Sequence, residues 1–266
     1  MVNKNITLSI ITPTFNRIES LKISIEKLKS QSFKDFEHII VDNLSTDGTD
    51  KLVEKYKKEV NHPVIYIREK DTGIADAMNK GVKAANGIWV HILNSDDFFA
   101  SNTCLEEVFN LKDIYEFDVI ACPIALQDAF TGITGKPWIP RYDKKMDYYF
   151  FPHTGLLIKN SFYKSTDYYD EKFKIISDAV FMTTNLPNAK YKILNRPILI
   201  LALDIGATTN FSLKRSLELL KYTLFVWNSP VKYKLKHIFL NIYSDIFMLK
   251  QALKRKLIKK NIIRII

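Results

Sequence analysis

The first hundred residues alternate between two incompatible hydrophobic periods, and that alternation restricts the fold more than any other feature. Residues 6–12 (ITLSIIT) are apolar and β-branched with little interruption, as a strand covered on both faces requires. Over 18–30 the apolar positions recur instead at helical spacing, at Leu21, Ile25 and Leu28. Residues 36–42, 64–68 and 88–93 return to the strand pattern. Residues 49–56 and 73–85 return to the helical one, the latter with Ala77, Met78, Val82 and Ala85 on one side. This succession predicts an α/β fold, a mostly parallel central sheet with helices on both faces. Beyond Asp97 the order loosens. A helix is expected over 105–111, extended chain over 118–122 and a hairpin or lid over 127–137. A strand is then expected at 153–160, a helix at 179–186 and two short strands within 193–203. This second half is expected to cover the open edge of the sheet and supply the second substrate.

Charge divides the chain differently. Residues 212–266 hold 13 Lys or Arg and two acids, whereas residues 1–211 hold 26 basic and 27 acidic residues. The body is neutral and the tail strongly basic, which places a boundary near Phe211. Within the body, the regular alternation of 1–97 is set apart from the looser order of 98–211. No apolar run approaches the roughly 20 residues that span a bilayer, and no leader-like segment opens the chain, so an integral membrane protein is not expected. Cys104 and Cys122 suit a reducing cytosol as small hydrophobes.

Ligands of open parallel sheets bind beyond the carboxyl ends of the strands. Here the first strand is followed by Thr12, Pro13, Thr14, Phe15, Asn16 and Arg17. The second ends in Asp42 and Asn43, and the fourth in Asn94, Ser95, Asp96 and Asp97. Such residues commonly cap helices; three clusters on the βα units of one sheet point to a ligand. No Gly-x-Gly-x-x-Gly follows a strand and no Gly-x-x-x-x-Gly-Lys occurs, which argues against dinucleotide oxidoreductases and P-loop enzymes.

Taken in order, TPTFNR (12–17), VDNLSTDGT (41–49), DTGIADAMNKG (71–81) and LNSDD (93–97) resemble the family 2 glycosyltransferases of the GT-A fold. The likeness is greatest to the bacterial branch that assembles O-antigen, capsule and exopolysaccharide. It spans about residues 6–205, loosens after Asp97, and implies a nucleotide-binding half over 1–97 and an acceptor half over 98–211. The resemblance implies that Thr12, Pro13, Thr14 and Asn16 meet the nucleotide, and that Asp42 or Asn43 reads the uracil; the alternative for that pair is a capped turn. It implies that Asp97 holds a divalent cation, Mn²⁺ or Mg²⁺, with Asp96 beside it on the ribose or as a second ligand. Hard cations take carboxylate oxygen and stabilise a departing diphosphate. Asp178 takes the place of the general base, although an Asp there also suits a helix N-cap. His153 matches a histidine that meets the sugar or the diphosphate, or else is structural. Two departures stand out. Asn94 replaces an acid found in many relatives, and Met78 replaces an Arg that could touch phosphate. Asp76 either compensates by contacting the nucleotide or sugar, or supports the start of its helix. Trp138 and Tyr142 are candidate sugar-stacking aromatics for which packing is the preferred reading. The absence of Gln-x-x-Arg-Trp, found in processive relatives, favours one sugar per encounter.

In the tail, Leu235, Phe239, Ile242, Ile246, Leu249, Leu253 and Leu257 recur every three or four positions among lysines, the pattern of a basic amphipathic helix. Packing on the body, expected for residues 217–227, binding to nucleic acid and docking on an anionic membrane surface are its three readings. No recognition fold for nucleic acid accompanies it, and the last reading fits best. The sequence is therefore expected to encode a metal-dependent, inverting transferase. It would move a sugar from a UDP-sugar to a polyprenyl-diphosphate-linked saccharide, peripherally on the cytoplasmic face of the membrane. A nucleotidyltransferase and an inactive nucleotide-binding scaffold of an assembly complex are the alternatives.

Overall fold

The computed structural model describes residues 6–128, 137–144, 148–203, 213–226 and 234. The expected alternation is present. It runs β1 (Leu8–Thr14), α1 (Ile18–Lys29), β2 (Phe36–Asp42), α2 (Thr49–Glu59), β3 (Val64–Arg68), α3 (Ile74–Ala84) and β4 (Trp89–Ile92). There follow β5 (Asp97–Phe99), α4 (Cys104–Phe109), β6 (Val119–Ala121), β7 (Ile124–Asp128), β8 (Arg141–Asp143), β9 (Tyr148–Phe150) and β10 (Leu156–Lys159). The described chain continues with α5 (Asn160–Lys164), α6 (Ser177–Asn185), β11 (Tyr191–Ile193), β12 (Leu199–Leu203) and α7 (Leu213–Lys221).

Seven strands make the main sheet in the order β11-β6-β10-β4-β1-β2-β3. Strands β4, β1, β2 and β3 are parallel, while β10 runs antiparallel to both β4 and β6. A smaller sheet, β5-β12-β7, carries Asp97 at its first strand, and β8 and β9 form a hairpin. Successive residues of β1 serve opposite faces, as the period of two dictates. Ile11 joins Met78, Val82 and Phe181 from α3 and α6, whereas Ile10 joins Leu28, Leu105 and Val108 from α1 and α4. Helices therefore cover both faces. Helix α3 lies so close to β1 that a Cβ built on Gly81 would come within 2.3 Å of Ile11 Cγ2.

Two expectations need correction. Residues 153–160 are not one strand: after Pro152 the chain makes a 3-10 turn over His153–Gly155 before β10 begins. Helix α6 begins at Ser177, with Ile176 as its N-cap, so Asp178 lies inside the first turn and is not the cap. Strand β3 is present as expected and lies at the edge of the main sheet, only half-buried. Most of the expected lid at 127–137, the loop after β12 and the amphipathic run 235–257 lie outside the described residues. Helix α7 and the π-helical turn that continues it (Tyr222–Val226) pack Leu219 and Tyr222 against Phe173, Ile176 and Val180, and leave Leu217, Leu220 and Leu224 exposed.

Candidate active site

Strand register brings the first cluster together. Thr14 of β1 lies opposite Asp42 of β2, and Asp42 opposite Arg68 of β3, so three polar residues form one row at the carboxyl edge. Asp42 is fully buried. Its Oδ1 accepts from the Ser45 amide at 3.0 Å and the Ser45 hydroxyl at 2.5 Å. Its Oδ2 accepts from the Tyr66 hydroxyl at 2.6 Å and lies 3.5 Å from Arg68 Nε. A carboxylate gripped from both sides is held in one orientation, which suits a group that must read a planar base. Asn43 Oδ1 accepts the Asp71 amide at 2.9 Å. Asn16, in the left-handed region at φ 50°, donates its amide to Ser45 Oγ and accepts the Thr46 amide on Oδ1. These bonds lock the turns after β1 and β2 to each other.

Thr12 does not present its hydroxyl to this edge. The side chain is buried and shares a 2.9 Å hydrogen bond with His38 Nε2, leaving only its backbone for a ligand. That bond begins a buried chain in which His38 Nδ1 meets the Tyr56 hydroxyl at 3.1 Å and Tyr56 meets His62 Nε2 at 2.7 Å. Thr14 is different: its hydroxyl is buried and has no partner among the described residues. Pro13 is buried between them in β1.

Asp96 and Asp97 follow β4 in a turn. Asp97 is 1% exposed, and its Oδ2 accepts from Asn94 Nδ2 at 3.0 Å. Asn94 therefore acts here as a neutral donor that orients the acid behind it. The second oxygen, Oδ1, is buried without a partner among the described residues. Burial and the neighbouring Asp96 charge push the Asp97 carboxyl well above the usual carboxylate range. Burial also raises Asp96, against the pull of its own backbone amide and of Arg17. Two desolvated acids, one with an orphaned oxygen, fit the hard divalent cation that the resemblance implies. Among the described residues no group of three His, Cys, Asp or Glu gathers; Asp97 and Asp96 are the residues that would hold the cation.

The departures find structural explanations. Met78 is 2% exposed and belongs to the core, so it takes no part in phosphate binding. Asp76 accepts the Thr72 amide on Oδ2 at 2.8 Å and lies 3.4 Å from Lys80 Nζ, the arrangement of an acid supporting a helix start.

In the second half of the body, Asp178 is partly buried and its Oδ1 accepts the Ala179 amide at 2.8 Å. Its charge acts on His153 and on Tyr169. His153 Nε2 shares a 2.8 Å bond with the Tyr169 hydroxyl, which meets the Tyr163 hydroxyl at 2.6 Å. Burial lowers the His153 pKa and the Asp178 charge opposes that shift. Trp138 is 44% exposed although its indole N–H donates to Phe150 O, so packing does not absorb it. Ser45, Tyr66, Arg68 and Tyr169 were not singled out from the sequence. Their roles depend on strand register and on a contact between α3 and the lead-in to α6.

Comparison with known proteins agrees with this architecture. The family model for Glycosyl transferase family 2 matches residues 9–182. The putative teichuronic acid biosynthesis glycosyltransferase TuaG of Bacillus subtilis is 37% identical over 98 residues, 36% of this chain and 38% of that protein. The minor teichoic acid biosynthesis protein GgaB of the same organism is 29% identical over 132 residues, 48% of this chain and 15% of its own. The chain thus spans well under half the length of these curated relatives. Among solved structures, S. aureus TarS 1-349 in complex with UDP-GlcNAc superposes with a TM-score of 0.67 at 20% identity, covering 90% of this chain and 72% of that one. The mannosyltransferase PcManGT from Pyrobaculum calidifontis, in complex with GDP-Man and Mn²⁺, gives 0.64 at 14% identity, covering 91% and 73%. The sheet order, the clustered strand ends and a family match over most of the described body lead to one assignment: the chain belongs to glycosyl transferase family 2 and has the GT-A fold.

Proposed function

We propose that this chain is a metal-dependent, inverting glycosyltransferase that moves a single sugar from a UDP-sugar to a lipid-linked saccharide during assembly of a cell-surface glycan. The buried Asp97 with its unpartnered Oδ1 carries the reading. A carboxylate is kept in such surroundings at a cost, and a bound cation removes that cost. A divalent ion there supplies positive charge to the diphosphate as it departs. The row Thr14, Asp42 and Arg68 orients the nucleotide, with Asn43 and Asn16 fixing the turns around it. Asp178 takes the proton from the acceptor hydroxyl, whose oxygen bonds to the anomeric carbon. The carbon–oxygen bond to the nucleoside diphosphate breaks with its electron pair leaving on oxygen, which inverts the anomeric centre.

TarS in complex with UDP-GlcNAc supports a UDP-sugar donor, and PcManGT in complex with Mn²⁺ supports the cation. The relatives named for teichoic and teichuronic acid biosynthesis support a surface polymer as the product, the class to which O-antigen and capsule also belong. The acceptor is proposed to be a saccharide on a polyprenyl diphosphate, met at the inner face of the membrane by a chain whose residues 1–211 form the transferase domain. The basic residues after 212 and the exposed Leu217, Leu220 and Leu224 support that docking. No helix among the described residues is long and apolar enough to cross a membrane.

The test is a thermal-shift titration of UDP with and without Mn²⁺, on the parent and on Asp97→Asn. Ligands that bind the folded state raise its midpoint. We expect UDP to stabilise the parent strongly only with Mn²⁺, and the substituted protein to lose the Mn²⁺-dependent increment along with transfer. Full activity after EDTA treatment would sink the metal assignment.

A further inference from the structure

The segment that leads into α6 is held from two sides. On one side it is tied to α3 and the loop before it. Asn79 donates to Tyr169 O at 3.0 Å and to Glu171 at 3.2 Å, and accepts the Tyr169 amide on Oδ1 at 2.9 Å. Lys174 Nζ donates to Thr72 O at 2.9 Å, and the Thr72 hydroxyl to Glu171 at 3.2 Å. On the other side stands a single residue of α7. Glu218 Oε1 accepts the Lys174 amide at 3.2 Å and its Oε2 accepts the Ile175 amide at 2.8 Å. Each carboxylate oxygen thus takes one of two consecutive backbone N–H groups. Leu219, beside it on the same helix, and Tyr222, in the turn that continues it, bury themselves against Phe173, Ile176 and Val180.

These amides lie four and three residues before Asp178. Helix α6 has Ile176 as N-cap and no side-chain cap of its own. Its entry is therefore fixed from outside, by a carboxylate borrowed from another element. Charge-assisted bonds to backbone N–H groups are about twice as strong as neutral ones. Two of them on adjacent residues fix both the position and the direction of the chain that delivers the first turn of α6. The donor row on β1, β2 and β3 makes no use of α7.

We propose that Glu218 is a positioning residue for Asp178, holding the lead-in to α6 so that the carboxylate meets the acceptor hydroxyl. The inference rests on the reading of Asp178 as the base. Misplacement by an ångström can cost as much as ~10² in rate, so loss of the grip lowers turnover and leaves donor binding intact.

The experiment compares Glu218→Gln, Glu218→Ala, Asp178→Asn and the Glu218→Ala/Asp178→Asn pair. Turnover is read as hydrolysis of UDP-GlcNAc, or of whichever member of a panel of UDP- and GDP-sugars the parent hydrolyses fastest. Amide hydrogen exchange is followed at Lys174 and Ile175. Gln keeps one carbonyl oxygen but turns an NH₂ toward the second amide, so it loses one of the two bonds. Expected are exchange at least ~10-fold faster at both amides in Glu218→Ala, and turnover lowered about 10-fold with an unchanged donor KM. Glu218→Gln should fall between that variant and the parent. The paired variant should be no slower than Asp178→Asn alone, because residues acting through one another are not additive. Parent-like turnover or exchange in Glu218→Ala, with Asp178→Asn inactive, overturns the inference, as does a matching rise in donor KM. Near-normal turnover of Asp178→Asn overturns the base reading instead, and with it this proposal.

Discussion

Asp178 sits at the second position of α6, where a negative charge faces unpaired backbone N–H groups, and it already uses Oδ1 to accept from Ala179. Asparagine in its place keeps an oxygen for that bond yet cannot take a proton. The proposed mechanism therefore expects transfer by Asp178→Asn to fall by ~10² or more, the usual worth of a positioned base. The thermal midpoint and UDP affinity should remain those of the parent; comparable losses in all three would mark Asp178 as structural. Asp42 shows what sequence reading could and could not reach at this scale. Its place after a strand marked it as a candidate, but its partners Tyr66 and Arg68 come from β3, more than 20 residues on. Only the pairing of Asp42 with Arg68 puts them there.

Among the elements, the packing of α3 on β1 leaves the least room. A methyl at position 81 would press on Ile11 Cγ2 inside a strand that is buried along its whole length, so neither partner can yield freely. Gly81→Ala should cost about 1–3 kcal/mol, the usual penalty of overpacking, despite the better helix propensity of alanine. A chemical-denaturation midpoint equal to the parent's would show that the helix can shift at no cost. The same elements were the legible ones. Strands β1 to β4 and helices α1 to α3 lie within three residues of their expected bounds, because buried strands and amphipathic helices write different periods. The second half was less legible for a physical reason. Its strands are three to five residues long, and a period of two does not encode direction or partner. Nothing in residues 156–159 says that they run antiparallel to β4. Nor does anything near Asp97 announce β12, about a hundred residues later, as the partner of β5.

Across the whole molecule, buried histidines set the response to acid. Burial brings His38 down to about 3 and His91 to about 4, and both are fully buried. Their folded pKa values lie below the ordinary 6.5 of the unfolded chain, so stability is complete above pH 6.5. Below it the unfolded state gains protons that the folded state refuses, and each costs about 1.4 kcal/mol per pH unit. The His38 share should show as a gentler loss of urea stability between pH 6.5 and about 4 in His38→Gln than in the parent; identical slopes there would refute the assignment. The charge step near residue 212 makes a separate prediction. A chain shortened to residues 1–230 keeps α7 and both candidate sites, so it should still bind UDP while losing most cosedimentation with anionic vesicles. Loss of UDP binding instead would place the missing segment within the catalytic body. The reversed strand at the centre of the main sheet has a consequence for synthesis. Strand β4 is complete by residue 92, but the neighbour that covers its open side arrives only with residues 156–159. Until then Trp89, Val90 and His91, all buried in the finished protein, line a bare sheet edge. Such an edge invites pairing with other chains. The first half of the body, the best-marked part of the sequence, therefore cannot close its own sheet: as it leaves the ribosome it is an unfinished surface, prone to self-association until β10 closes it.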